Sequence, residues 1–295
     1  MKILDGKKIA LMETMELKKE FDFISSQLKR SPVLTIVQVG DNESSSRYVS
    51  YKIKKGQELV VDVRLKKFDA NIKYEALLRK IEKINDESDG VIVQLPLPEG
   101  DLKVKTQVIL DSIPPIKDID GLCNRNSFLF YNDKKEFHLV PATALAIDRL
   151  LKHYQIGLDN HKIGVVGRSN LVGKPIAHML KSSKAFVQTY NRNSGIKGVE
   201  SADLVIVAAG SPGLIKKENL KPDSIVIDVG ATWVPNEEGT LSIKGDVDTT
   251  DLDNHIQAIA PVPGGVGPLT VVYLFKNLAK TIEHKNHIKY EMPIE

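Results

Sequence analysis

The chain has 295 residues, 42% of them hydrophobic and 27% charged, the balance of a folded globular protein and not of a disordered one. Its 41 basic residues offset 38 acidic ones to a formal charge of +3, with both signs scattered along the sequence, so no nucleic-acid partner is expected. The single cysteine, Cys123, makes neither an intramolecular disulfide nor a zinc site by itself, which points to a reducing compartment, the cytoplasm.

The opening residues, MKILDGKKIALMETMELKKEF, read as an amphipathic helix interrupted by charges. They contain neither the apolar core of a signal peptide nor the length of a membrane span, so no membrane association is expected. From residue 33, short apolar runs alternate with helix-length amphipathic runs: VLTIVQV, SSSRYVSYKIKKGQEL, VVDVRLKKF, YEALLRKIEKIND and DGVIVQLPLP. This alternation predicts parallel strands joined by helical crossovers. The polar stretch YNDKKEFHLV, followed by Pro141, breaks the pattern. A helix, ATALAIDRLLKHY, then leads into a second strand series, KIGVVG, FVQTY, DLVIVAAG and SIVIDVG, each apolar enough to be covered on both faces.

The expected fold class is α/β: two α/β domains forming a cleft, the second a Rossmann-like, NAD(P)-binding domain with a mostly parallel sheet. The division expected is residues 1–140 plus 271–295 for the first domain and 141–270 for the second. Ligands of open sheets bind at the carboxyl ends of strands, so the loops after each strand carry the functional information.

In the first half, SSSRYVSYKIKK places Tyr48 and Lys52 four residues apart on one helix face. A lone helical lysine is ordinarily solvated, so Lys52 takes meaning from its company. Gln94 closes the strand in DGVIVQLPLP, where two prolines set the path of the loop. It either orients a lysine amine or satisfies the strand end. Asp120, beside Gly121 in KDIDG, is either a turn former or a two-point acceptor for a nitrogen-rich ring.

In the second half, IGVVGRSNLVGKPIAHML has the strand, glycine turn and helix order of a mononucleotide-binding unit. Gly167 and Gly173 admit a pyrophosphate close to the backbone, and the helix N-terminus favours its charge. Pro175 suits the first turn of that helix. The spacing departs from G-x-G-x-x-G, so the turn taken alone also fits a structural role. NAD enzymes place an acidic residue roughly 20 positions on, to grip the ribose hydroxyl. FVQTYNRNS offers none and carries Arg192 instead, with Arg168 in the turn as a second guanidinium for a 2′-phosphate. NADP is therefore preferred over NAD, the alternative being that both arginines are plain surface residues.

Taken as a set, YVSYK, VQLPLP, KDIDG, GRSNLVGKP and PVPGGVGPLT resemble the bifunctional methylenetetrahydrofolate dehydrogenase/methenyltetrahydrofolate cyclohydrolase family, in its order and at its separations. The resemblance runs from LDGK at residue 4 to the helix after Thr270. It implies oxidation of 5,10-methylenetetrahydrofolate by NADP, hydrolysis of the methenyl product to 10-formyltetrahydrofolate, a homodimer and no metal. By the same resemblance Lys52, Tyr48 and Gln94 are catalytic; the Tyr48 ring is in addition suited to stack on the folate's aromatic part and so bind the substrate. Asp120 grips the folate, and Pro263, Gly264 and Gly265 line its site. Gly167, Arg168, Ser169, Val172, Gly173, Arg192 and Thr143 meet the cofactor.

One departure stands out. The chain reads PATA at residues 141–144 where the family has PCTP, so Ala142 and Ala144 replace a cysteine and a proline while Thr143 remains. This bears on the local shape near the nicotinamide and on the balance of the two activities. Two rival readings are a two-domain NADP dehydrogenase of a small hydroxy acid, whose Lys-Asp pair Lys52 and Asp120 would imitate, and a non-catalytic NADP-binding paralogue. Retention of Lys52, Gln94 and Asp120 together argues against the second.

Overall fold

Apolar runs too short for helices become buried parallel strands, and the amphipathic runs between them become the helices that cover them. The computed structural model describes residues 1–235 and 240–291; the last four positions of the expected first domain, 292–295, lie outside the described residues. The elements are β1 (Lys2–Ile3), α1 (Gly6–Leu28), β2 (Val33–Val39), α2 (Glu43–Glu58), β3 (Asp62–Phe68), α3 (Tyr74–Glu87), β4 (Gly90–Val93), α4 (Asp101–Val104), α5 (Thr106–Asp111) and α6 (Asn124–Tyr131). There follow α7 (Ala142–His153), β5 (Lys162–Val166), α8 (Gly173–Lys181), β6 (Phe186–Tyr190), β7 (Leu204–Val207), β8 (Ile225–Asp228), β9 (Thr232–Pro235), β10 (Leu241–Lys244), β11 (Ala258–Ala260) and α9 (Val266–Asn286).

The chain divides into two compact units, residues 12–142 with 271–295 and residues 1–11 with 143–270. The first contains a three-stranded parallel sheet in the order β3-β2-β4. Its central strand, β2, is buried at every position. Helix α3 presents Leu77, Ile81 and Ile84, spaced four and three apart, to Val37, Val91 and Val93. The Asn42 side chain accepts from the Ser45 N–H at 2.9 Å and so fixes where α2 begins.

The second unit contains six parallel strands in the order β1-β11-β8-β7-β5-β6. From β5 the chain steps one way to β6, then crosses to the other side of β5 for β7, β8 and β11. The strand order therefore reverses between β5 and β7, the place where open sheets bind ligands. β7 is buried at all four positions. β6 corrects an expectation: among the described residues it is the sheet's edge, and its alternate residues Phe186 and Gln188 are exposed, Phe186 at 67%, so one of its faces is not covered.

The first eleven residues, expected in the first domain, group with the second unit instead. Lys2 and Ile3 pair with Ala258 and Ile259 of β11, extending the sheet by one short strand. The antiparallel pair β9–β10 was likewise not expected from the sequence.

Candidate active site

Lys52 lies on the buried face of α2 with Ser45, Val49 and Gly56. It is only 8% exposed, and its Nζ donates to Gln94 Oε1 at 3.0 Å. Gln94 is held at both ends. Its Nε2 donates to the Leu95 carbonyl at 2.8 Å, and its backbone N–H donates to the Val37 carbonyl at 2.8 Å. The amide oxygen is thus turned toward the amine by the strand end itself. Burial disfavours the ammonium form and pushes the Lys52 pKa below the ordinary lysine value, while the Asp120 charge opposes the shift.

Tyr48 stands one turn earlier on α2 and is partly buried. Burial raises its phenol pKa, and Tyr51 adds to the effect. Its hydroxyl makes no hydrogen bond to the described residues. Of the two residues expected to act with Lys52, Gln94 and not Tyr48 accepts from its amine in this structure. Helical spacing sets a shared face, not contact between side-chain tips, and the amine reaches across to the end of β4.

Asp120 sits in a turn clamped on both sides. The Ile119 N–H donates to the Val91 carbonyl at 3.2 Å, and the Ile119 carbonyl accepts from Asn277 Nδ2 at 2.9 Å. Asn277 Nδ2 also donates to the Val140 carbonyl at 2.9 Å. Gly121 follows at φ 70°, where a Cβ would lie 2.8 Å from the Leu139 carbonyl oxygen, so only glycine fits. Burial pushes the Asp120 pKa up, and the Lys52 charge opposes this. Asp118, the other acid of KDIDG, has a different task. It is buried and accepts from the Cys123 N–H at 2.8 Å and from Asn126 Nδ2 at 3.0 Å. Burial drives its pKa to about 6.

The glycine turn of the second unit is packed without space for a side chain. A Cβ on Gly167 would meet the Ala208 carbonyl oxygen at 2.1 Å, and one on Gly173 would meet the Gly167 carbonyl oxygen at 2.1 Å. Gly167 has φ 110°. Ser169 Oγ accepts from the Val172 N–H at 3.1 Å, shaping the turn just before α8. Arg168 and Arg192 are exposed, and among the described residues neither forms a hydrogen bond or ion pair. A glycine cradle, a helix N-terminus, two uncommitted guanidiniums and no acid in FVQTYNRNS fit a 2′-phosphorylated dinucleotide.

In PVPGGVGPLT, Gly264 has φ 111° and a Cβ on Gly265 would lie 2.7 Å from the Pro261 carbonyl oxygen, while Pro263 is exposed. The Gly264 carbonyl accepts from the N–H groups of Gly6 and Lys7 at 3.0 and 3.1 Å, capping α1. A Cβ on Gly6 would stand 1.8 Å from the Gly265 carbonyl oxygen, so LDGK and PGG are fitted to each other. The close approach that these glycines permit is thus used by the chain's own backbone. Thr143 is buried at the start of α7 between Ala142 and Ala144, which are also buried. Sequence reasoning missed Asp118 and Asn277; the one available signal was a polar residue inside the apolar run VVYLFKNLAKTI.

Among the described residues no group of three or more His, Cys, Asp and Glu is arranged to hold a metal ion, and no helix is long and apolar enough to cross a membrane.

Residues 4–120 match the model of the tetrahydrofolate dehydrogenase/cyclohydrolase catalytic domain, and residues 141–286 match that of the family's NAD(P)-binding domain. The chain is 47% identical to the bifunctional protein FolD of Mycoplasmopsis synoviae, over 95% of this chain and 99% of that one. A crystal structure of the bifunctional FolD enzyme from Campylobacter jejuni superposes with a TM-score of 0.86 at 34% identity, covering 97% of this chain and 99% of that one. The Trypanosoma brucei dehydrogenase-cyclohydrolase, solved with NADP and an inhibitor, gives a TM-score of 0.88 at 30% identity over 96% and 97% of the two chains.

Proposed function

The chain belongs to the tetrahydrofolate dehydrogenase/cyclohydrolase family, and we propose that its two reactions draw on different groups of its own residues. It is an NADP-dependent methylenetetrahydrofolate dehydrogenase and a methenyltetrahydrofolate cyclohydrolase, converting 5,10-methylenetetrahydrofolate to the methenyl form and then to 10-formyltetrahydrofolate. NADP, when bound, accepts the hydride that leaves the methylene carbon.

For that oxidation the chain's task is to hold and align. Gly167, Ser169, Val172 and Gly173 shape the phosphate cradle, Arg168 and Arg192 take the 2′-phosphate, and Thr143 meets the cofactor. Asp120 accepts two hydrogen bonds from the folate ring, Tyr48 stacks on its aromatic part, and Pro263, Gly264 and Gly265 line the substrate. No strong acid or base is needed, because the folate nitrogens stabilise the cation that results.

Hydrolysis does need proton transfer. Water must lose a proton as it attacks the methenyl carbon; as the carbon–nitrogen bond then breaks, the ring nitrogen gains a proton and the new hydroxyl loses its own to become the formyl carbonyl, so one proton is released to solvent overall. Lys52 Nζ, with its charged form disfavoured by burial, takes the first proton and returns it in the second step, while Gln94 Oε1 keeps the amine aimed. The observation that carries this reading is the buried Lys52 Nζ held 3.0 Å from Gln94 Oε1, with Asp120 as the charge that opposes its neutralisation.

The test is to mix purified protein with 5,10-methylenetetrahydrofolate and either NADP or NAD, following methenyl and formyl products together. The reading predicts formyl product and a preference for NADP. Methenyl product alone, or a preference for NAD, counts against it. We also propose a cytoplasmic homodimer: the free, buried Cys123 supports the compartment, and the family resemblance supports the dimer. Sedimentation at micromolar concentration separates dimer from monomer.

A further inference from the structure

The turn at Gly167 is only one side of the place where the strand order reverses. The other side is the loop after β7, Ala208 to Ser211, whose Ala208 carbonyl oxygen abuts Gly167 so closely that a Cβ there would stand 2.1 Å away. That loop makes its contacts through an unusual scaffold. The Asp246 carboxylate, with the residue wholly buried, accepts three consecutive backbone N–H groups: Ala209 and Gly210 on Oδ2 at 2.6 and 2.8 Å, and Ser211 on Oδ1 at 2.7 Å.

Asp246 is itself held by a second buried acid. Asp228, at the end of β8, accepts from the N–H groups of Gly230 and Asp246 on Oδ1 at 2.9 and 3.0 Å, and from Val247 on Oδ2 at 3.0 Å. Two glycines make room for the pair. A Cβ on Gly230 would lie 2.2 Å from the Asp246 carboxyl carbon, and one on Gly245 would lie 1.9 Å from Asp228 Oδ2. The end of β8 therefore sets Asp246, and Asp246 sets the loop after β7.

We infer that Ala208–Ser211 forms the second wall of the NADP site and that Asp246 is the positioning residue that fixes it. The inference rests on the reading of this unit as the nucleotide-binding one. Three N–H groups in a row would ordinarily make an anion cradle. Here Asp246 fills it, so these three backbone N–H groups are not offered to a phosphate, and the loop backbone borders the uncharged parts of the nucleotide, leaving the phosphates to the Gly167 turn and α8.

Three variants test this. Asp246→Ala leaves three loop N–H groups without their acceptor, and Asp246→Asn restores one oxygen. Gly210→Asn adds a side chain where the Cβ has nothing within 4 Å, at φ 64°, a conformation that asparagine tolerates. The KM for NADP is read from the dehydrogenase rate, and hydrolysis of methenyltetrahydrofolate is read without NADP in the same preparation. Asp246→Ala is expected to raise the KM for NADP at least tenfold, more than it changes kcat, and to lower the ratio of dehydrogenase to cyclohydrolase efficiency by the same factor. Asp246→Asn is expected to recover part of the loss. Gly210→Asn is expected to weaken NADP in an equilibrium titration by a similar factor, and it decides alone if Asp246→Ala does not fold. The inference is overturned if Gly210→Asn binds NADP like the unmodified protein, or if Asp246→Ala lowers both activities in parallel. Failure of the unmodified protein to bind NADP would instead remove the reading of the unit on which the inference stands.

Discussion

Lys52 and Asp120 oppose each other's shifts, the amine resisting neutralisation because of the carboxylate and the carboxylate because of the amine. That mutual dependence is measurable as a coupling energy. Opposite charges in contact range, roughly 4–6 Å apart, in an effective dielectric of about 20, attract by about 3–4 kcal/mol. Partial exposure of Asp120 reduces the expected coupling to about 2–3 kcal/mol. Lys52→Met also takes the donor from Gln94 Oε1, so the single variant leaves an acid without its countercharge and an amide oxygen without its proton. Lys52→Met with Asp120→Asn removes both charges and recovers most of that loss. The assay is urea unfolding, followed by circular dichroism, of the unmodified chain, both single variants and the double variant. Repeating it from pH 6.5 to pH 10 adds a sign: the Lys52 pKa lies below the ordinary 10.5, so the coupling fades as pH rises through it. A coupling below about 0.5 kcal/mol at every pH would refute the account of this pair.

Three further outcomes are expected. Arg192→Ala raises the KM for NADP about tenfold and leaves that for NAD nearly unchanged, since it removes one charge-assisted contact to the 2′-phosphate; an unchanged ratio in steady-state kinetics counts against the phosphate assignment. Gly121→Ala, forced to φ 70° against the Leu139 carbonyl, costs about 2 kcal/mol of stability and raises the KM for folate more than that for NADP, as calorimetry and kinetics will show. Asp228 has its pKa driven by burial from 3.8 to about 6, so the fold favours its protonated form, and the stabilisation this gives is present at low pH and lost as pH rises through about 6. The stability of Asp228→Asn relative to the unmodified protein should therefore grow by about 3 kcal/mol between pH 4 and pH 7 in urea titrations; a flat difference contradicts the shift.

The alternation of strands and helices was legible because burial on both faces leaves a sequence signature. VLTIVQV became β2 and DLVIVAAG contains β7, each wholly buried. Edge strands carry a weaker signature. FVQTY reads like a covered strand, yet among the described residues β6 has no strand beyond it and exposes Phe186 and Gln188 on one face. β1 is two residues long, and only its partner in β11 makes it a strand. Such pairings are decided by tertiary contact and not by local pattern.

The site divides in the same way. Tyr48, Lys52, Gln94 and Asp120 were visible from helical spacing, from the strand end and from the motifs they share with the family. Asp118, Asn277, Asp228 and Asp246 were not, because each acts on backbone groups far away in sequence: Asn277 on the carbonyls of Ile119 and Val140, Asp246 on the N–H groups after β7. The PGG segment also has a structural task that its motif does not announce. Its glycines pointed to a ligand, and the structure seats the backbone of Gly6 and Lys7 against them.

The most direct test is a single turnover of 5,10-methylenetetrahydrofolate with NADP on Lys52→Met, recording methenyl and formyl products over time. If Lys52 carries the proton in hydrolysis alone, methenyl product still forms and accumulates while its conversion to formyl product slows by about 10²–10⁴-fold. Formyl product appearing at the unmodified rate, or both steps slowing by one common factor, contradicts the account.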